Sequence, residues 1–307
     1  MISSYYHLLR SSYWFFCFSI LGIFFSAPGQ TFLISLTIPT ICNKLQISPL
    51  GFASIYSTAT LLASFGLPFI GKKIDIWTPQ TSLLFNAIFF SASLFLFAFT
   101  FNSFSLFISL FFMRLFGQGA LTLTATSHTI KIFQVDRGSA LSLTQLGYPL
   151  SEFVFPAIFL YLLSAFGLSF AFIFFGFTIL FLYLPITYTS ISKDNSKITP
   201  PTKHQASIPL KEVLKDPFFP IYILLSSLPP IIMTAAFYFQ TDIFATHQWD
   251  IQYIALAIFY YALLKLISTI LVGPLIDRIG VIYPFTFLIL FIGIASLVIS
   301  IKTTSYF

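Results

Sequence analysis

The sequence predicts an all-α polytopic membrane protein, with a six-helix N-terminal half followed by three helices of a second, pseudo-symmetric half. Three observations carry this. Of 307 residues, 57% are hydrophobic and 8% charged, where soluble domains run at roughly 45–50% apolar and about 25% charged. Nine apolar runs are each long enough for a hydrocarbon core, which takes roughly 20 helical residues. Finally, "GKKID" (Gly71–Asp75), at the end of the second run, recurs 202 residues later as "GPLID" (Gly273–Asp277), at the end of the eighth.

The first span, Tyr13–Ile41, follows a short stretch whose one cation is Arg10. Its length of about 29 residues exceeds the roughly 7–15 of a signal-peptide core, so it reads as uncleaved. Pro28 predicts a kink within it. Cys17 and Cys42 lie 25 residues apart on this helix, beyond disulfide reach and without metal-ligand spacing, and read as small core residues. The next spans are Leu50–Ile70, Thr81–Phe101, Phe104–Ser127, Ser139–Leu163 and Phe166–Thr189. All are rich in Phe, Leu, Ile and Ala without the alternation of barrel strands. They complete an N-terminal half over residues 1–189.

Residues 190–217 form a polar linker. Pro, Ser and Lys without an apolar period predict flexibility, and the closing "IPLKEVLKDP" reads as a short amphipathic helix on the membrane surface. Residues 218–307 hold the spans Phe218–Thr246, Ile251–Ile276 and Val281–Ile301. At the 202-residue offset Leu61, Leu62, Gly71, Ile74 and Asp75 meet Leu263, Leu264, Gly273, Ile276 and Asp277, and Pro28 meets Pro230. Both halves are therefore expected to bend their first helix at matching depth. Parallel six-span repeats are an architecture of secondary transporters. Position 307 corresponds to 105, so the second half is expected to be truncated after three of its six helices.

The net charge of +6 is explained by the membrane and not by nucleic acid. Arg10, Lys72, Lys73, Lys131, Arg137, Lys193, Lys197, Lys203, Lys211, Lys215 and Arg278 fall on one side, and Lys44 and Lys302 on the other. Basic loops stay inside. The N-terminus is expected in the cytoplasm, the C-terminus outside, and the host bilayer is a cytoplasmic, or inner, membrane.

With these motifs in order, the chain resembles the major facilitator superfamily over nearly its whole length. Gly71–Asp75 is similar to the family's Gly-x-x-x-Asp-basic loop, with Ile76 in place of the basic residue; Gly273, Asp277 and Arg278 fit it better. "RLFGQGA" (Arg114–Ala120) resembles an Arg plus Gly-x-Gly pattern, and "GYPLSEFVFP" (Gly147–Pro156) a Gly/Pro-rich packing motif. "DRGSAL" (Asp136–Leu141) and "LKEVLKDPFF" (Leu210–Phe219) look like loops of members handling small organic anions. The resemblance implies alternating access, with Gly71, Asp75, Arg137, Gly273, Asp277 and Arg278 forming conformational latches. In the family the first aspartate works against an eleventh helix, so Asp75 reads as an orphaned latch, while Asp277 can meet the start of span five near Gly138 and Ser139.

Charges inside the bilayer are costly, about 2.5–3.5 kcal/mol for a central Arg or Lys. Arg114, Glu152 and Lys265 are the three candidates. Arg114 and Glu152, on successive helices, are expected to approach each other, either as a structural ion pair or with Glu152 as a proton acceptor. Lys265 is then the charge left over, either snorkelling to the interface or attracting an anionic solute. Gln30, Thr31, Thr234 and Gln240 sit near the kinks as cavity hydrogen bonders or packing groups, and Tyr238 and Tyr260 share that ambiguity. His128 reads as an interfacial histidine. Phosphate loops, zinc sites and hydrolase triads are absent from the sequence, so neither a cofactor nor an enzyme is expected. The leading function is a secondary transporter, symporter or antiporter, of a small solute, with an organic anion as its class and a proton or exchanged anion as its coupling partner. A truncated, non-transporting remnant or a membrane binding or scaffold protein stands beside it.

Overall fold

The computed structural model describes residues 2–134, 136–194, 210–246 and 251–304, and those residues are helical nearly throughout, with no strand among them. In chain order the helices are α1 (Tyr5–Leu45), α2 (Pro49–Ile76), α3 (Pro79–Ala98), α4 (Ser103–Ile132), α5 (Arg137–Phe166) and α6 (Leu168–Lys193). They are followed by α7 (Phe219–Thr246), α8 (Ile251–Ile279) and α9 (Ile282–Thr304). The first eight contain windows long and apolar enough to cross a membrane. A single turn, Leu210–Val213, is all that forms of the expected surface helix among the described residues; Asp216 then accepts from the Phe218 amide at 2.9 Å and starts α7.

Local sequence sets the helix starts. Pro49 and Pro79 open α2 and α3, where a missing N–H costs nothing. Ser48 and Thr78 cap them by accepting from the Gly51 and Thr81 amides. Asn102 and Ser105 form a reciprocal capping box at α4, with the Ser105 amide 2.8 Å from Asn102 Oδ1.

α1 is the core helix, packed against α4, α5 and α6, and it buries Phe15, Phe16, Phe18, Leu33 and Ile34. α3 packs on α6 and α4, and α2 on α4. Between these helices polar side chains meet in pairs. Asn86 donates to Thr124 at 2.9 Å, Ser91 to the Gly176 carbonyl at 2.8 Å, and the Thr129 and Thr144 hydroxyls lie 2.9 Å apart. Such bonds replace the hydrophobic drive that lipid-immersed helices lack. α8 lies along α5, α7 along the middle of α1, and α9 along α8.

The two aligned prolines behave differently. α1 breaks outright: Ala27–Gly29 is a short 3-10 turn and Gln30 is extended at φ −87°, ψ 152° before the helix resumes at Thr31. α7 runs as one helix through Pro229 and Pro230. Gly29 marks the difference, because a Cβ there would lie 2.7 Å from the Met113 carbonyl oxygen of α4. Only a bare backbone permits this approach, and the seventh helix has no glycine after its prolines. Two further segments, Met113–Leu121 in α4 and Ile179–Tyr183 in α6, are wound as π-helix.

Asn102→Ala removes the capping box and is expected to cost about 1 kcal/mol. The thermal unfolding midpoint in detergent should fall by a few degrees.

Candidate functional site

The broken segment of α1 and the π-wound segment of α4 face each other, and Arg114 sits between them. The residue is 6% exposed. Nη1 donates to the Gly29 carbonyl at 3.1 Å and to Thr31 Oγ1 at 3.3 Å. Because α1 is broken here, the Leu33 amide turns to Gln30 O rather than to Gly29 O, and the guanidinium occupies the carbonyl instead. Thr31 Oγ1 also lies 2.8 Å from Tyr56 Oη, and the guanidinium carbon stands 5.2 Å from the Tyr56 ring centroid, a cation–π distance. Gln30, buried beside it, donates to Ser26 at 3.0 Å. Arg114 Nε is buried without a hydrogen-bond partner among the described residues.

The expected Arg114–Glu152 pair does not form. Glu152 Oε1 instead accepts from Lys265 Nζ at 2.6 Å. The reason is packing: α8 lies on the face of α5 that carries Glu152, whereas Arg114 is turned toward the α1 break. Lys265 is therefore neither a leftover charge nor a snorkelling one. Its ammonium lies 5.3 Å from the ring centroids of both Tyr148 and Tyr261. Glu152 is 4% exposed, and its Oε2 has no partner among the described residues.

A cleft of about 620 Å³ opens between α2 and α4. Arg114 and Tyr148 form its wall together with Thr60, Ser64, Gln118 and Thr122. A second cleft, about 460 Å³, lies between α2 and α7 and is lined by Tyr56, Thr234 and Tyr238 among others. Tyr260 is exposed, Gln240 belongs to α7 but its side chain lies outside the described residues, and the cysteines are free thiols. His128, four residues from the end of α4 at Ile132, is 5% exposed, and its Nε2 has no partner among the described residues.

At the end of the molecule carrying the basic loops, called the basic end below, the two repeated aspartates have different partners. Asp277 accepts from the Gly138 amide at 2.6 Å, the Ser139 amide at 2.8 Å and Ser139 Oγ at 2.6 Å. These are first-turn donors of α5, where the helix dipole favours an anion. Asp75, read from the sequence as a latch without its helix-eleven partner, pairs with Lys131 of α4 at 2.9 Å. Gly71 borders the larger cleft, while Arg137 and Arg278 are exposed at this end. Gly273 allows the contact of α8 with α5, since a Cβ on it would lie 2.4 Å from Ser142 Cβ.

The family model described as Major Facilitator Superfamily matches residues 18–307. The chain belongs to the major facilitator superfamily. No curated protein matches it. Membership makes this major facilitator protein an integral, multi-pass membrane transporter in the general sense, from a family that binds small solutes and whose members are not enzymes. Sequence reasoning passed over Tyr56, Tyr148 and Tyr261, which flank Arg114 and Lys265; an aromatic in an aromatic-rich helix gives no local sign of which face it occupies.

Lys265→Met should leave Glu152 as an unpaired buried carboxylate and destabilise the protein by about 3 kcal/mol, whereas the double variant Glu152→Gln/Lys265→Met should recover most of that. Chemical unfolding in detergent micelles measures the coupling.

Proposed function

We propose that this chain moves a small organic anion across a cytoplasmic membrane by alternating access, with Arg114 as the group that receives the solute's carboxylate. The observation that carries the reading is the unmatched charge. Among the described residues, Arg114 is a buried cation with no acidic partner, and it stands in the wall of a solute-sized cleft. An uncompensated guanidinium at membrane depth costs several kcal/mol. A carboxylate entering the cleft offsets that cost, and the planar fork of Arg suits it. Thr60, Ser64, Gln118 and Thr122 supply hydroxyl and amide groups for the remainder of a polar solute.

Lys265, the anion receptor suggested by sequence, is already neutralised. Its pair with Glu152 supports a coupling role instead. Protonation of Glu152 would release Lys265 into the space between Tyr148 and Tyr261, so proton and anion movement would be linked through α5 and α8. Helices α1–α6 and α7–α9 then act as the two parts that rock against each other, with residues 190–217 as their connection. Asp277 on the start of α5 latches the basic end, which the positive-inside rule assigns to the cytoplasm; Asp75, Gly71, Arg137 and Arg278 border the same face.

Purified protein in detergent, titrated with lactate, benzoate and succinate, tests the receptor. At least one of these carboxylates should raise the unfolding midpoint, and its amide analogue should not. Arg114→Gln, which keeps a donor for Gly29, should weaken that affinity by roughly 10–100-fold, the worth of a charge-assisted bond. Equal stabilisation of Arg114→Gln and the parent protein would refute the assignment. For coupling, Glu152→Gln in proteoliposomes should abolish the response of anion uptake to an imposed pH gradient; an unchanged response removes Glu152 from the proton path.

A further inference from the structure

In an α-helix the carbonyl of Ile270 accepts from the amide of residue 274. Residue 274 of α8 is proline, which has no N–H and whose ring crowds that carbonyl. A backbone oxygen left unpaired inside a membrane protein is costly, so a neighbour must satisfy it. Tyr5, at the start of α1, does so: its Oη donates to Ile270 O at 2.7 Å. Ser142 of α5 donates to the adjacent Thr269 carbonyl. The three helices converge on Gly273, where a Cβ would stand 2.8 Å from Tyr5 Oη. One turn further along α8, Asp277 meets the first amides of α5.

The first copy of the repeated pattern has Lys72 where the second has Pro274. Lys72 keeps its amide for the residue-68 carbonyl, and the proline inside α2 lies one turn earlier, at Pro68. Pro274 and Tyr5 thus belong to one device present on the α8 side.

We propose that Tyr5 is a positioning residue of the basic-end seam, whose hydroxyl replaces the amide that Pro274 removes. While α8 lies against α1 and α5 the Ile270 carbonyl is satisfied by the Tyr5 hydroxyl; when the seam parts, water must take the hydroxyl's place. Pro274 leaves the carbonyl free for Tyr5, and their bond, present only while the seam is closed, biases the conformational equilibrium that the alternating-access reading requires toward the closed seam. The inference rests on that reading for its role in transport, but its physical core does not.

A thiol probe reads the seam directly. Leu143 is buried and lines a void of about 150 Å³ with Tyr5, Ser142, Leu146 and Ile270. Leu143→Cys, in a protein whose Cys17 and Cys42 are replaced by serine and alanine, is labelled in detergent by a charged methanethiosulfonate reagent. Tyr5→Phe, which removes only the hydroxyl, should speed labelling roughly three- to tenfold, the worth of one net hydrogen bond. With Pro274→Ala, residue 274 regains its amide, and Tyr5→Phe should then change the rate by less than about twofold. An unchanged rate in the Pro274 protein overturns the proposal, as does an equal acceleration in both backgrounds. Should Pro274→Ala not fold, as judged by size-exclusion elution, the Tyr5→Phe ratio alone decides: acceleration supports the clamp, and none overturns it. No solute is added, so a protein inert in transport still reports the clamp, and a failed clamp leaves anion binding at Arg114 to its own test.

Discussion

The carbonyl of Gly29 is the point on which the site depends. Within a bilayer every backbone group must be satisfied by protein, and α1 breaks where Pro28, Gly29 and Gln30 interrupt its ladder. The break is tolerated because α4 supplies Arg114 to that oxygen at 3.1 Å. The arrangement is reciprocal. Arg114 could not lie at this depth without an acceptor, and the carbonyl could not be freed without a donor. Their meeting needs the backbones in contact, which the bare Gly29 permits against Met113. The π-wound turn carrying Arg114 belongs to the same adjustment, since such turns re-aim side chains and recur at functional positions.

Once Arg114 is held by α1, the other two intramembrane charges are constrained. Glu152 is left for α8, and α8 brings Lys265. One pair is internally neutral and one cation is not, and this asymmetry separates coupling chemistry from solute recognition in the proposed mechanism. Tyrosine rings soften both environments: Tyr56 beneath the guanidinium, and Tyr148 and Tyr261 beside the ammonium. A cation over a ring gains electrostatic stabilisation without a second negative charge, which leaves Arg114 free for the anion of the proposed mechanism.

The repeated pattern at the basic end has diverged in the same spirit. Asp75 is engaged by Lys131 within α1–α6, whereas Asp277 reaches from α8 to the first amides of α5. A side-chain ammonium and a helix N-terminus are both positive, so one aspartate chemistry serves both settings. Pro274 adds a second connection on the α8 side that Lys72 does not call for on the other.

Composition and run length were enough to determine an all-α membrane protein, eight of whose nine expected spans are long and apolar enough to cross among the described residues, because the energetic cost of polar groups in hydrocarbon leaves little freedom in that choice. The 202-residue register, Pro28 and the motif around Arg114 were equally legible, as was the identity of the three intramembrane charges. Which charge pairs with which was not. Arg114 and Glu152 are neighbours along the chain, and sequence proximity favoured their pairing. The partner of Glu152 comes from a helix 113 residues away, chosen by the rotation of α8 on α5, and that of Arg114 is a carbonyl freed by a helix break. Likewise Tyr5 acquires meaning only when the start of α1 is laid across α8 one turn before Pro274. Sequence fixes the groups that must be satisfied inside a membrane; the packing angles of whole helices, set by many contacts at once, decide which group satisfies which.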